Sequence, residues 1–162
     1  VHAGFFAKPN PPQAPSYTYD FRNPTSTDLD NDFGISLVGN PNGMVNRRTN
    51  NDGSKVFAYT SWADEASKVL FDFSKVPASI SINNSYDEAS RILETELVSD
   101  INVDLNANYN LSVYLIEDNV EHWQKDYDMS PSDIPDYTHR EVLRASLNNT
   151  YGDPLNNLTE GD

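Results

Sequence analysis

The chain contains no cysteine among its 162 residues. This absence excludes disulfide bonds, thiolate chemistry and cysteine-based zinc sites within these residues. A cysteine-free chain suits a reducing compartment, and it also suits the many bacterial envelope domains that fold without disulfides. Small animal ectodomains usually need such cross-links, so this sequence does not fit that class.

Basic residues are also scarce. Lys and Arg together number 11 against 25 Asp and Glu, which gives a formal charge of −14 and a pI near 4.3. Such a surface repels phosphate backbones and anionic lipid headgroups. We therefore expect no nucleic-acid partner, and we expect contact with a membrane only through a lipid anchor that lies outside these residues.

Long hydrophobic runs are missing as well. The apolar stretches are only a few residues long, as at residues 113–116, so no segment could cross a bilayer as a helix. No basic and apolar leader opens the chain, which starts at Val1 with a pattern typical of the middle of a strand. We therefore expect a piece of a longer, extracytoplasmic precursor.

The first half of the chain reads as loops with short helices. Five prolines between residues 8 and 24 disfavour regular structure there. Beyond them, acidic first turns, N-cap residues and apolar spacing predict a helix at Asp28–Phe33 that ends at Gly34, and a second helix at residues 62–71. Turn signals predict a strand at Met44–Arg47, and Val56–Thr60 fits either a strand or a loop.

From about residue 78 the hydrophobic period changes to two. Apolar and polar residues alternate around Ile80 and Ile82, at Leu93–Leu97 and at Leu111–Leu115, and a last strand is expected at Tyr137–Leu147. This alternation is typical of antiparallel strands with one face on a core and one in water. We therefore expect an antiparallel β-sandwich that begins near residue 76.

Two acidic patterns are candidate metal-binding sites. Asp28, Asp30 and Asp32 have the spacing that opens a calcium-binding loop, but that pattern requires Gly at position 33 and Glu at position 39, where this chain has Phe33 and Gly39. We predict that no calcium binds there, because acidic residues at the start of a helix explain the triplet.

The second pattern is Glu117 and Asp118 with Glu121 and His122 nearby. These residues could hold a metal or act as a carboxylate pair. Adjacent strand residues point to opposite faces, so a strand-end turn capped by carboxylates is the favoured interpretation.

Catalytic arrangements are not evident in the sequence. The three histidines, His2, His122 and His139, do not share a metal-binding spacing, and the chain has no Gly-x-Ser-x-Gly elbow and no Gly-rich phosphate loop. A structural role is the default for His139. We expect no enzyme activity and no cofactor.

Aromatic residues in or beside loops are the candidate contact residues. They are Tyr17, Tyr19, Trp123, Tyr127 and Tyr151, with Tyr137 nearby. Exposed loop aromatics can stack on sugars or anchor a partner protein. The alternative, in which they pin loops onto the core, is the commoner role for any one of them.

Several stretches together resemble a known family. They are residues 1–7 (VHAGFFA), 19–22 (YDFR) and 40–47 (NPNGMVNR), the pair Glu117-Asp118 followed by Gln124, and residues 136–144 (DYTHREVLR). In this order they resemble the twenty-eight-kilodalton outer-membrane protein family of Gram-negative anaerobes. Its members are lipoproteins often described as surface adhesins.

The resemblance implies an α+β, β-rich fold. Residues 1–75 would form part of a thioredoxin-like segment, and residues 76–162 would form an incomplete antiparallel β-sandwich. The family's Cys-x-x-Cys motif would lie upstream of Val1, so no redox activity carries over to this cysteine-free chain. A cis peptide bond at Asn40–Pro41 is also implied. The matching motif residues would be structural: Pro41, Arg47, Glu117, Asp118, Gln124, Tyr137, His139 and Arg144.

These observations lead to one functional expectation with two alternatives. We expect a non-catalytic structural or adhesive binding module at the outer membrane or cell surface, with a protein or glycan partner. Tyr137–Leu147 is expected to lie at an uncovered sheet edge, which would favour a homodimer. The alternatives are an appendage of a thioredoxin-like oxidoreductase and a carbohydrate-binding sandwich.

Overall fold

The computed structural model describes residues 19–39, 41–72, 76–156 and 158–162. Two α-helices lie in the first half of the chain, α1 (Pro24–Phe33) and α2 (Trp62–Asp72), and two short 3-10 helices span Ile35–Val38 and Tyr59–Ser61. The strands are β1 (Asn42–Gly43), β2 (Phe57–Ala58), β3 (Ala78–Asp87), β4 (Ile92–Ile101), β5 (Tyr109–Leu111), β6 (Tyr114–Glu117), β7 (Val120–Lys125), β8 (Asp133–His139), β9 (Val142–Ser146) and β10 (Asp153–Leu155).

The predicted β-rich, antiparallel character is confirmed. In the described part of the chain the strands form two-stranded ladders, which are β1–β2, β3–β4, β5–β10, β6–β9 and β7–β8. The ladders with a defined register are antiparallel. The sandwich and the thioredoxin-like segment stay predictions, because these ladders do not by themselves define either architecture.

The chain divides into two units that interleave along the sequence. The first unit contains the described residues up to Trp62 together with Ser112–Asp153, and the second contains Ala63–Leu111 and Pro154–Asp162. The predicted division at residue 75 gives two domains that follow one another along the chain. In the observed units, by contrast, the segment after β5 belongs again to the first unit. The two descriptions therefore differ, and the predicted domains stay a prediction.

Helix α1 starts earlier than predicted. Asn23 caps it by accepting a hydrogen bond from Ser26 N at 3.0 Å, while Ser26 Oγ accepts one from Asn23 N at 3.0 Å. Pro24 follows at the first helical position, where its missing N–H costs nothing. The predicted start at Asp28 is wrong for this reason. The predicted end is confirmed, because Gly34 takes the left-handed conformation (φ 65°) that closes the helix.

Helix α2 confirms the prediction for residues 62–71. Its first residue, Trp62, belongs to the first unit and donates its indole N–H to Phe57 O at 3.1 Å. The indole ring lies so close to Gly43 that a β-carbon at that position would come within 3.0 Å of it. Later in the helix the predicted apolar stripe does not reach a core, since Leu70 is 77% exposed.

The predicted strand at Met44–Arg47 is wrong. Asn46 and Arg47 have positive φ angles of 48° and 52°, and Arg48 N donates to Val45 O at 3.1 Å, so the segment is a turn. The extended residues of this region lie earlier, in β1. The turn thus begins at Val45, two residues after Gly43, within the segment that was predicted to be a strand.

Strands β3 and β4 form a regular hairpin. Their register runs without a shift from Ala78 opposite Ile101 to Asp87 opposite Ile92. The strands match the predicted alternation, but the expected burial of one face is wrong: Ile80, Ile82 and Tyr86 are 53%, 57% and 59% exposed. We call β3 and β4 with their turn the exposed hairpin.

Strands β6 to β9 form a second hairpin, interrupted in the middle. Glu117 is opposite Val142 and Val120 is opposite His139, so the same register continues across residues 118–119 and 140–141. We call residues 114–146 the kinked hairpin. The single strands predicted at Leu111–Leu115 and Tyr137–Leu147 are wrong, since each is broken, and β7 was not predicted.

The buried core of the first unit lies where α1 meets β9. Val142 and Leu143 are each 1% exposed, and Leu29 on α1 is 8% exposed. Hydrogen bonds fix this contact at both ends of β9, because Asn23 Nδ2 donates to Leu143 O at 2.7 Å and Ser146 N donates to Thr25 Oγ1 at 3.2 Å. The capped helix therefore holds the second arm of the kinked hairpin in place.

Candidate functional site

Aromatic rings and histidines gather beside the kink. The Tyr19 ring centroid lies 4.6 Å from that of Phe21 and 4.7 Å from that of His122. The His139 ring lies 5.0 Å from Phe21 and 4.8 Å from Tyr137. His139 is 1% exposed, so its ring is part of the packed interior. This cluster therefore joins the segment before α1 to β7 and β8.

An arginine and a glutamate complete this group of side chains. Arg144 Nε donates to Glu117 Oε2 at 2.6 Å, and its Cζ lies 5.7 Å from the Phe21 ring centroid. Partial burial lowers the pKa of Arg144, but hydrogen bonds to Glu117 and Tyr19 outweigh it, and the pKa is raised. The guanidinium thus stays charged between an acid and an aromatic face. We call Tyr19, Phe21, Glu117, His122, Tyr137, His139 and Arg144 the kink cluster.

Asp118 bridges the interruption itself. Its Oδ1 accepts a hydrogen bond from Glu141 N at 2.6 Å, across the gap between the two arms. Asn119 and Glu141 have positive φ angles of 59° and 54°, which turn the backbone away from a regular ladder. Because Glu117 and Asp118 bond different partners, they do not share one site. The structure agrees with a strand-end turn capped by a carboxylate.

The remaining motif residues lie in different places. Gln124 Nε2 donates to Lys125 O at 3.0 Å, while its Oε1 is buried and has no hydrogen-bond partner among the described residues. Arg47 Nη2 lies 3.4 Å from the hydroxyl of Tyr114, and its Cζ lies 5.4 Å from the ring centroid of Phe33. The peptide bond before Pro41 lies outside the described residues, because Asn40 is not among them.

The three aspartates of α1 serve local bonds. Asp30 accepts from Ser36 N and Ser36 Oγ, both at 2.7 Å. Asp28 Oδ2 accepts from Thr150 Oγ1 at 3.2 Å. A hydrogen bond to Asp32 is the main cause that raises the pKa of Tyr151 to about 12, with desolvation next. Each carboxylate is thus directed at a different partner, and the absence of bound calcium stays a prediction.

Metal-binding geometry is not found among the described residues, where no three His, Asp or Glu side chains are grouped closely enough to hold an ion. His122 Nδ1 accepts a hydrogen bond from Trp123 N at 2.9 Å. His2 and Tyr17 lie outside the described ranges. The kink cluster is accordingly a packed aromatic and ionic contact that shapes the hairpin.

The candidate aromatics separate into anchored and projecting residues. Tyr19 belongs to the kink cluster, and Trp123 is half-buried on β7. The hydroxyl of Tyr151 lies 3.3 Å from Asp28 O, which ties the residue to α1. Tyr127, in contrast, is 85% exposed at the tip of the kinked hairpin.

The loop that carries Tyr127 is held by its own hydrogen bonds. Asp126 N donates to Ser132 O at 2.8 Å, and Asp126 Oδ1 accepts from Asp128 N at 2.9 Å. Lys125 Nζ lies 2.9 Å from Asp133 Oδ1 and 5.4 Å from the ring centroid of Tyr127. The Ser130–Pro131 peptide bond is cis. We call Asp126–Ser132 the tip loop.

Sequence reasoning missed two parts of these sites. Met129, 55% exposed, lies two residues after Tyr127 in the tip loop, and an apolar residue in a turn bounded by Asp and Pro was the available signal. Phe21 lies at the centre of the kink cluster, and only its place in the YDFR stretch set it apart.

The family of the chain follows from a comparison with family models. Residues 27–162 match the model described as outer membrane protein Omp28, a span that covers most of α1, both hairpins and the tip loop. The chain therefore belongs to this outer-membrane protein family, which confirms the predicted family and the predicted location at the outer membrane or cell surface. No curated protein and no solved structure matches. Within the described residues, no helix has the length and hydrophobicity needed to span a membrane.

Proposed function

We propose that this chain is a non-catalytic, adhesive or structural binding module of a surface-exposed lipoprotein. Membership of the outer-membrane family supports the location. The observation that carries the binding role is the tip loop, because it presents two large side chains to solvent on a loop ordered by its own hydrogen bonds. A preordered loop loses little conformational freedom on binding.

The charge around the tip loop favours some partners over others. Asp126, Asp128, Asp133 and Asp136 lie close to Tyr127 and Met129 in the sequence, within a chain of net charge −14. Lys125 is held by Asp133. A protein partner with a basic patch, or an uncharged glycan stacked on the Tyr127 ring, is compatible with this surface. Tyrosine and methionine are also residues enriched at protein interfaces.

The architecture of the longer protein belongs to the same proposal. We propose that residues 1–75 continue a thioredoxin-like segment and that residues 76–162 contribute strands to a sandwich. The alternative of an oxidoreductase appendage requires a cysteine pair encoded upstream of Val1 in the complete gene. A lipid-attachment signal without such a pair would support the adhesive module.

A paired tyrosine substitution tests the binding role. The full chain is screened on arrays of glycans and of extracellular matrix proteins, and each partner found is measured again with Tyr127→Ala and with Tyr59→Ala. Tyr59 is the matched control, because it is 52% exposed but lies in the 3-10 helix after β2. We expect Tyr127→Ala to weaken binding about tenfold or more and Tyr59→Ala to leave it unchanged. Equal binding by both variants and the original chain would contradict the role of the tip loop.

A further inference from the structure

The outer edge of β3 is long and regular. The strand has 10 residues, pairs with β4 without a register shift, and has β4 as its only ladder neighbour in the described part of the chain. An edge of this kind presents a row of backbone N–H and C=O groups that another strand can pair with. An isolated two-stranded hairpin is also only marginally stable in water, whereas further strands add stability.

Strand β3 has none of the usual features that block edge pairing. It contains no Pro, Gly, Lys or Arg, and its one charged residue, Asp87, is the last of the strand. The kinked hairpin differs in each respect, since it has two register shifts, Pro135 within β8 and Lys125 at the end of β7. For this reason we place a pairing edge on β3 rather than on the predicted Tyr137–Leu147.

The opposite edge of the exposed hairpin is less accessible. Ile101 N donates to Asp162 O at 3.0 Å, and Ile101 O accepts from Gly161 N at 2.9 Å, so the end of the chain occupies that end of β4. Strand β4 also carries Glu94, Glu96 and Asp100. The two edges therefore differ in both hydrogen bonding and charge, and among the described residues no second strand pairs with β3.

We propose that β3 pairs with β3 of a second copy of this chain, antiparallel and across a two-fold axis normal to the sheet. A register centred on Ile82 or on Asn83 keeps the apolar faces of both copies on one side. In either register no two acidic residues lie opposite each other, because Asp87 meets Ser79 or extends past the pairing. For a chain of net charge −14, β3 is an edge with a single charged residue, Asp87 at its end, so the charge repulsion between two copies is small there.

This pairing produces a four-stranded sheet in the order β4, β3, β3 of the second copy, β4 of the second copy. Its shared face brings together Ile80, Ile82, Tyr86, Leu93 and Leu97 from each chain, which lie on the same face of the hairpin in the observed register. The larger apolar face and the added ladder both favour the dimer over two separate hairpins.

A charge-swap experiment tests this dimer. In Ser81→Lys/Asn83→Lys, both registers place like charges opposite each other, while Lys at position 83 lies opposite Glu96 within its own hairpin. We expect the original chain to dimerise in sedimentation equilibrium at concentrations up to about 1 mM. The dimer dissociation constant of the lysine variant should be higher by about tenfold or more. An equimolar mixture of this variant with Ser81→Asp/Asn83→Asp should restore a dimer.

Controls separate the edge from general charge effects. Asn106→Lys/Asn108→Lys adds the same charge at the same spacing, on exposed loop residues of the second unit, and should dimerise like the original chain. Hydrogen exchange should show amides at alternate residues of β3 becoming more protected as concentration rises. A monomer at all concentrations, or a dimer that survives the lysine substitutions, would overturn the proposal.

Discussion

The exposed hairpin, residues 78–101, and the kinked hairpin, residues 114–146, differ in both regularity and burial. The exposed hairpin pairs ten residues with ten in an unbroken register, and more than half of Ile80, Ile82 and Tyr86 remains in solvent. The kinked hairpin has two register shifts and a central interruption, yet it contains Val142, Leu143 and His139, which are each 1% exposed. The irregular hairpin thus contributes Val142, Leu143 and His139 to the interior, whereas the regular hairpin has only Ile101 among its buried residues.

This difference shows what a hairpin needs in order to join a core. A regular ladder presents one flat apolar face, and it is buried only where another element covers that face. Asp118 bonds Glu141 N across the interruption, and beyond it β9 is bonded to the α1 region at Leu143 and Ser146. Bulges of this type can re-aim side chains, and Val142 and Leu143 just after the interruption are each 1% exposed.

The largest expected effect is a difference in the free energy of unfolding between a substitution in the kinked hairpin and one in the exposed hairpin. Leu143→Ala removes a side chain that is 1% exposed, and we expect it to lower the free energy of unfolding by about 2–5 kcal/mol. Ile82→Ala, at a side chain 57% exposed, should lower it by less than about 1 kcal/mol in dilute solution. Urea unfolding followed by tryptophan fluorescence measures both. Equal losses would show that the exposed hairpin is covered in solution.

The second prediction concerns the interruption. Asp118→Ala removes the acceptor for Glu141 N, which we expect to cost about 1 kcal/mol, since water can replace part of the bond at this exposed position. Asp118→Asn keeps an oxygen acceptor and should lose roughly half as much. The amide of Glu141 should exchange faster in the alanine variant. An alanine variant as stable as the original chain would mean that Asp118 does not hold the kink.

The smallest effect is a change in one pKa. The pKa of Tyr151 is raised to about 12, mainly through its hydrogen bond to Asp32. Because the neutral phenol is the stabilised form, its contribution is fully present below the ordinary value of 10.0 and is lost as the pH rises through about 12. Asp32→Asn should move the pKa back toward 10.0. NMR titration of ring-labelled tyrosines, with Tyr151→Phe for assignment, would contradict this if the pKa did not move.

Sequence patterns predicted the regular elements and failed where tertiary contacts decide the structure. The end of α1 at Gly34, helix α2 and the strands of the exposed hairpin all follow from local signals. The period-two alternation indicated which residues of β3 and β4 share a face. It could not indicate whether another element of the protein covers that face. The interruption of the kinked hairpin could not be predicted from local signals, because its hydrogen bond joins Asp118 to Glu141, 23 residues apart.

For the candidate sites, too, the sequence identified individual residues but not the long-range contacts that bring them together. The motif residues Glu117, Tyr137, His139 and Arg144 were selected by resemblance, and the structure brings them together with Tyr19. Their assembly depends on the long-range register of the kinked hairpin, which alternation did not predict. Tyr127 could be named as a loop aromatic, whereas its exposure depends on how the tip loop bonds to itself.

Native-state hydrogen exchange tests most directly the claim that the kinked hairpin supports the module and the exposed hairpin remains available for contact. In dilute protein, amides of Val142 and Leu143 should exchange only through global unfolding, with a denaturant dependence equal to that of the whole chain. Amides of Ile80, Ile82 and Tyr86 should exchange through local openings that depend little on denaturant. The same large denaturant dependence for both hairpins would contradict the account, because the exposed hairpin would then be an equal part of one core.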